Sequence, residues 1–408
     1  MEVLNLLNPY RPGAGHTPPY LAGREQEIGN FVKLLDQQII IKNCILTGLR
    51  GVGKTVLLDE FKNVAINEGW LWTSNEISES VSLTEERLCY RIMADLSIVT
   101  SGISIKKIRE EPVGFTGKET EIDIPLNFRN IEDLFDEAAG LESDKLKYIL
   151  EYAWDQIKRN MPQVKGLIFA YDEAQSLYDD TKNKTFALTM LLDVFQSIQR
   201  KKIPFMLLLS GLPTIQSRLV ESRTYTERMF TILFLHKLSD DASRLAILKP
   251  IERENCPIQF NKDSIDLITH KSGGYPYFIQ FLCKETFDIF LQQNSAGQEL
   301  TVPIDSIMIK LDDDFFAGRW GILTDRQREL LSVIAHLESC EEEFTVQEIV
   351  TESKKYEITA FSNSQVNQML SSLIVTGLIF KNRFGKYSFA VPQLNEFILR
   401  QNIAISKL

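Results

Sequence analysis

The chain has 408 residues, 44% of them hydrophobic and 25% charged, with a formal net charge of −10 from 45 Lys and Arg against 55 Asp and Glu. Such a length implies two or three domains, and the composition excludes a disordered chain, a collagen-like repeat and a coiled-coil rod. An excess of acid this large also excludes polyanion binding by bulk charge, so any contact with nucleic acid must come from a local patch. Apolar runs such as 205–209 are far too short to span a bilayer, and no membrane role is expected. The five cysteines stand singly, without a Cys-x-x-Cys pair, beside only four histidines, which argues against a disulfide framework or a zinc site. The opening residues lack a basic n-region and cleavage site, so a cytoplasmic location is expected.

In chain order, residues 1–22 are rich in turn formers (Asn8-Pro9, Arg11-Pro12-Gly13, Thr17-Pro18-Pro19) and read as an extended arm. The spacing of Ile28, Phe31, Val32 and Leu35 predicts a helix over 25–38. The Ile- and Leu-rich run 39–47 predicts a buried strand, followed by a glycine-rich turn, a helix over 54–67 and a strand over 69–73. Residues 75–163 read as a mostly helical insertion, with helices over 84–99 and 144–160 and a hairpin within the polar piece 106–130. Apolar strands follow at 166–171, 204–209 and 231–235. Near-continuous apolar strands alternating with helices imply a parallel sheet covered on both faces, an α/β core. From 239 to 314 the pattern is helical, broken at Gly273-Gly274-Tyr275-Pro276.

Beyond residue 323, Leu330, Leu331, Ile334 and Leu337 form one helical face after a Thr324 N-cap, and Thr345 opens a second helix. Val366, Met369, Leu370, Leu373 and Ile374 give a third, ending near Gly377, and 378–381 pairs with 386–391. Three helices and a hairpin in this order predict a winged helix. The domains expected are an arm (1–22), a P-loop core (23–238, insertion 75–163), an all-helical lid (239–318) and the winged helix (319–408).

The sharpest signal is Gly48-Leu49-Arg50-Gly51-Val52-Gly53-Lys54-Thr55, a G-x-x-x-x-G-K-[ST] loop followed by Val56. Its glycines let backbone N–H groups converge on phosphate oxygens, Lys54 reaches the β and γ phosphates, and the Thr55 hydroxyl suits Mg²⁺. ATP and Mg²⁺ are therefore the expected ligands. At the end of a later strand, Asp172 suits the Mg²⁺ shell, and Glu173 suits orienting or deprotonating the attacking water. Ser210, at the next strand's tip, is placed to contact the γ-phosphate or that water, or simply to end the strand. Arg228, just before the fifth strand, is a candidate arginine finger, or a surface arginine paired with Glu221 or Glu227.

The segments 8–15 (Asn8-Pro9-Tyr10-Arg11-Pro12-Gly13-Ala14-Gly15), 21–25, the P-loop and Asp172-Glu173-Ala174-Gln175 resemble bacterial ATP-binding proteins of the AAA type, close to the initiator ATPases and to the STAND signalling ATPases. The resemblance covers nearly the whole chain. It implies that Leu21, Gly23 and Arg24 lie against the adenine. It also implies a lid arginine that this chain lacks: the stretch after Gly273-Gly274 reads Tyr275-Pro276-Tyr277, the STAND pattern, in which Pro276 packs near adenine or ribose. Without that arginine, tight binding and slow hydrolysis are expected, with an ATP-dependent homo-oligomer.

The third C-terminal helix offers Asn363, Gln365, Asn367, Gln368, Ser371 and Ser372 to a DNA groove, and the hairpin offers Lys381, Arg383 and Lys386. Yet 320–408 carries nine Lys and Arg against ten Asp and Glu, net −1, and phosphate neutralisation dominates nucleic-acid affinity. Two readings stand at this point: an initiator-like ATPase engaging double-stranded DNA, or an ATP/ADP-gated adaptor docking a protein effector in prokaryotic signalling or antiviral defence.

Overall fold

The computed structural model describes residues 7–13, 15–78, 80, 84–113, 116–253, 256, 258–356 and 358–401. Ala14 and residues 1–6 of the expected arm lie outside the described residues, as do the side chains of 107–122, 253 and Arg383. The chain divides into two compact units. One comprises Gln26–Thr47 and Leu57–Phe234; the other comprises Met1–Glu25, Gly48–Val56 and Leu235–Leu408.

The first unit is built on a five-stranded sheet in the order β2-β5-β6-β1-β7: β1 Asn43–Gly48, β2 Leu71–Glu76, β5 Leu167–Asp172, β6 Phe205–Gly211 and β7 Phe230–Leu235. β2 with β5, β5 with β6 and β6 with β1 run parallel. β1 and β6 are buried along their whole length, and β5 all but its last residue, as the near-continuous apolar runs required. β1 starts four residues later than the isoleucine run suggested. The side-chain oxygen of Gln37 accepts the N–H groups of Ile41 and Lys42 (2.9 and 2.8 Å), and its amide donates to Leu34 and Lys42 carbonyls. That wrapped turn ends α1 (Glu25–Leu35) and leaves Ile41 72% exposed. Phe31 of α1 stacks on Phe61 of α2 (Lys54–Asn67), ring centroids 4.1 Å apart.

Among the described residues, the insertion holds three helices where the sequence suggested two. Between α3 (Glu85–Thr100) and α5 (Glu142–Asn160) lies α4, Phe128–Glu137, capped by Asn127 and burying only Ile131 and Phe135. An antiparallel hairpin, β3 Ser104–Val113 with β4 Thr116–Pro125, precedes it. α3 packs on β2, and α6 (Ala187–Arg200) on β6. The short helices α7 (Thr214–Ser222) and α8 (Thr226–Met229) lead into β7.

In the second unit, α9 (Asp240–Arg253), α10 (Lys262–Ser272), α11 (Pro276–Ser295) and α12 (Ile304–Leu311) form the helical stretch, followed by a π-helical turn Asp312–Phe316 and α13 (Ala317–Gly321). The arm lies on these helices: buried Tyr10 donates its hydroxyl to the Ile247 carbonyl, and the Asn8 amide donates to Lys284 O and Asp288 Oδ1. Next come α14 (Asp325–Ala335), α15 (Val346–Ser353) and α16 (Asn363–Val375), each opened by a capping box, Thr324/Gln327, Thr345/Glu348 and Ser362/Gln365. The hairpin β8 (Ile379–Arg383) and β9 (Lys386–Phe389) follows, then α17 (Leu394–Arg400). Phe344 and Tyr387 exchange backbone hydrogen bonds of 2.8 and 2.9 Å, tying the hairpin to the segment before α15. The three helices and the hairpin thus succeed one another in the expected order. Among the described residues, no helix is long and apolar enough to cross a membrane.

Candidate functional site

The glycine-rich loop lies in the second unit, and its backbone needs its glycines. Gly51 and Gly53 take φ of +76° and +90°, a region that strains any residue with a Cβ. Among the described residues, the N–H groups of Gly51, Val52 and Gly53 make no hydrogen bond, although Val52 itself is buried. Lys54 folds over the loop, its Nζ donating to the carbonyls of Gly48 (3.0 Å) and Leu49 (2.9 Å). Thr55 is exposed and Val56 half-buried. The result is a row of donors beside an ammonium, the arrangement that suits a phosphate.

Arg24, which the resemblance sets against the adenine, bonds to the backbone around the loop. It is 4% exposed, and its Nη2 donates to the carbonyls of Val52 (2.8 Å) and His236 (3.0 Å), so it braces the loop's backbone. Gly23, at φ +62°, lies so close to Ala242 that an added Cβ would meet the alanine's Cβ at 2.7 Å; Leu21 beside it is half-buried. The loop is held from a second side by α11, whose Tyr277 N–H donates to Gly51 O (3.2 Å). Pro276 occupies the first turn of that helix, where its missing N–H costs nothing. Gly274, just before it, lies so near Leu238 that a Cβ would stand 2.4 Å from the Leu238 carbonyl oxygen. The Arg50 guanidinium reaches the end of α16: its Nη2 lies 2.9 Å from where a Cβ on Gly377 would be.

The carboxylates lie in the first unit, at the ends of parallel strands. Thr47 of β1 pairs with Gly211 of β6, and Glu76 of β2 with Asp172 of β5, so these strand ends share one edge. Asp172 Oδ1 accepts the Ser210 hydroxyl (2.7 Å) and the Glu173 N–H (2.9 Å). Ser210 is fully buried, so its hydroxyl serves Asp172 instead of standing open to a phosphate. Glu173 adopts φ +52°, left-handed and uncommon for a side chain of its size. The side chain of Gln175 bonds to Glu173 and to the backbone of Leu212. Sequence reasoning passed over Asp59 of α2. Burial raises its carboxyl above the ordinary range, Lys62 pulls it back and Asp172 pushes it up, so Asp59 lies within electrostatic reach of Asp172. The spacing Thr55-x₃-Asp59, one helical turn, is the signal that could have found it.

Arg228, on α8, is exposed, and among the described residues no carboxylate pairs with it, neither Glu221 nor Glu227. In the C-terminal domain, the six polar residues of α16 are exposed as expected. Several are tied locally: Asn367 donates to Asn363 O, Ser371 to Asn367 O, and Gln327 to Ser372 Oγ. Lys381 is exposed, its Nζ 5.6 Å from the ring centre of Phe384, and Lys386 is half-buried.

A family model described as Domain of unknown function (DUF8462) matches residues 313–398, the stretch of α13 to α17. A search of curated proteins finds no match. Among solved structures, the Walker-type ATPase PABY2304 of Pyrococcus abyssi is similar at 15% identity and a TM-score of 0.56, over 93% of this chain and 96% of that one. The ORC2 protein of Aeropyrum pernix in its ADP form is 16% identical with a TM-score of 0.56, over 96% and 98%. The same protein in its ADPNP–ADP complexes gives 0.52 over 95% and 96%. The chain shares the fold of these structures. At such identities the likeness extends to the fold alone, and function must be argued from the site.

Proposed function

We propose that the chain is an ATPase that binds ATP on the loop Gly48–Thr55, hydrolyses it slowly, and uses its nucleotide state to control self-association and engagement of double-stranded DNA. The observation that carries this reading is the loop: three successive N–H groups without an acceptor among the described residues, beside a lysine whose ammonium lies over the loop and donates to the Gly48 and Leu49 carbonyls. In this reading Lys54 exchanges its carbonyl partners for the β and γ phosphates, while Gly48, Arg50, Gly51, Gly53 and Val56 shape the cradle around Val52. Leu21, Gly23 and Pro276 border the base and ribose.

Among the described residues, no three His, Cys, Asp or Glu side chains assemble into a metal cluster. That suits Mg²⁺, which keeps most of its shell as water and substrate phosphate and takes one or two protein ligands. Thr55 and Asp172 would hold it, and it would supply charge neutralisation at the phosphates. Ser210, hydrogen-bonded to Asp172, keeps that carboxylate oriented. Glu173 orients the attacking water and accepts its proton. Exposed Arg228 reaches the γ-phosphate of a neighbouring copy, where a guanidinium offsets transition-state charge. The absence of an arginine after Gly274 in α11 supports slow turnover and a STAND-like switch.

DNA engagement rests on the hairpin cations Lys381, Arg383 and Lys386, whose weak contacts add up when several copies align. A second reading, an adaptor that docks a protein effector, is favoured by the hairpin tip. Phe384 is 97% exposed between those cations and Val375 at the end of α16 is 88% exposed, apolar groups that suit a protein surface better than a phosphate backbone. Fluorescence anisotropy of a labelled duplex with ATP–Mg²⁺ over a salt series separates them. ATP-dependent binding that weakens steeply with salt supports the DNA reading. No binding at low salt leaves the adaptor.

A further inference from the structure

Gln175 stands in the short 3₁₀ turn Ala174–Ser176 that follows β5. Its Oε1 accepts the N–H of Leu212 (3.0 Å), the residue after β6, and its Nε2 donates to Glu173 Oε2. The orientation of this amide is not arbitrary. A backbone N–H can only donate, so the oxygen must face Leu212, and the nitrogen is left to face the carboxylate. The neighbouring backbone makes room for the bridge: a Cβ on Gly211 would stand 2.5 Å from Gln175 Oε1 and 3.2 Å from Gln175 N. Glu173 meanwhile holds a left-handed backbone, a conformation that persists only where its surroundings enforce it. Both carboxylates are therefore fastened to the same strand end, Asp172 by the Ser210 hydroxyl and Glu173 through Gln175 to Leu212.

We infer that Gln175 is a positioning residue: its amide fixes the direction of the Glu173 carboxylate and makes that direction depend on the end of β6. The inference rests on the proposed role of Glu173 as the group that activates water. Removing the amide leaves both acids and the phosphate loop chemically intact, but frees Glu173 to turn. A reacting group misplaced by about 1 Å loses on the order of 100-fold in rate. Gln175 touches no nucleotide in this account, so the loss belongs to kcat and not to KM.

The test is steady-state hydrolysis of ATP with Mg²⁺ by the full chain and by Gln175→Ala, Gly211→Ala and the double variant. Gln175→Ala is expected to lower kcat by about 10- to 100-fold with KM changed less than about threefold. Gly211→Ala should lower kcat in the same way, because its methyl displaces Oε1. In the Gln175→Ala background that methyl no longer meets the side-chain oxygen and faces only the backbone nitrogens of residues 175 and 174 at 3.2 and 3.3 Å, so the combined loss should fall well short of the product of the two. If Gly211→Ala fails to fold, Gln175→Ala carries the test alone, since it only removes atoms. A kcat within twofold of wild type, a loss that appears wholly in KM, or losses that multiply would overturn the inference. Full activity in Glu173→Gln beside a crippled Gln175→Ala overturns it too, because Gln175 would then act on something else. Wild-type protein that binds ATP–Mg²⁺ but never hydrolyses it refutes the proposed reaction, and the positioning role falls with it.

Discussion

Replacing Arg24 with alanine removes a buried guanidinium whose Nη2 spans the carbonyls of Val52 and His236 at 2.8 and 3.0 Å. Hydrogen bonds to a charged donor contribute about 1.5–3 kcal/mol each, and part of that is recovered if water reaches the freed carbonyls. A loss of roughly 2–4 kcal/mol in the order of the loop follows. Because phosphate binding requires the ordered loop, nucleotide affinity should fall at least about 10-fold, the equivalent of ~1.4 kcal/mol. Arg24→Lys keeps the charge but carries its donor on a stem one bond shorter, so it should recover only part of the affinity. The assay is titration with fluorescent ADP and GDP analogues, with circular dichroism to verify folding. A brace acts on the loop and not on the base, so affinity for the two nucleotides should fall by the same factor. Loss for ADP alone would place Arg24 against the adenine, as the family resemblance implied, and refute the bracing argument. Affinity within twofold of wild type in a folded variant would refute it as well.

Glu173→Gln keeps the shape of the side chain and removes its proton acceptor; it should bind ATP–Mg²⁺ as the wild type does and lose at least about 100-fold in hydrolysis, measured by phosphate release. If exposed Arg228 acts on a neighbouring copy, mixing Arg228→Ala with Glu173→Gln protein should restore activity that neither variant has alone, and ATP should shift the sedimentation profile toward larger species. A single monomeric species at every concentration with undiminished turnover would refute this. Charge reversal of Lys381 and Lys386 to Glu should abolish ATP-dependent duplex retention at low salt without changing ATP turnover by the protein alone, and unaltered retention would remove the hairpin from the interface.

Much of the architecture was legible because it rests on short-range patterns. The apolar runs at 166–171 and 204–209 read as buried parallel strands and are buried in the sheet, and α2 begins and ends where its spacing placed it, at Lys54 and Asn67. Thr324 and Thr345 likewise open α14 and α15, as read from the sequence. What stayed hidden depends on partners distant in sequence or on conformations that composition does not encode. Ile39 and Ile41 look like strand residues, but the Gln37 amide takes up the backbone around them and turns it away. α4 carries only two buried side chains in ten residues, too sparse a stripe to stand out against its charge. α6 lies between two apolar strands and buries most of its own residues, so its apolar content blends with theirs. At the site, the motif letters point to the loop and the acids. The roles of Arg24, Ser210 and Gln175 emerged only from their hydrogen bonds to Val52, Asp172 and Leu212, contacts that no local pattern announces.

Whether the loop Gly48–Thr55 holds a nucleoside triphosphate is decided by calorimetric titration of ATP–Mg²⁺ into the full chain. Saturable binding near one nucleotide per chain is predicted for the wild type. Lys54→Ala should still fold, as circular dichroism would check, and lose at least about 10-fold in affinity, because it removes the ammonium that stabilises the phosphates. No binding by the wild type, or equal affinity in the two proteins, would contradict the account.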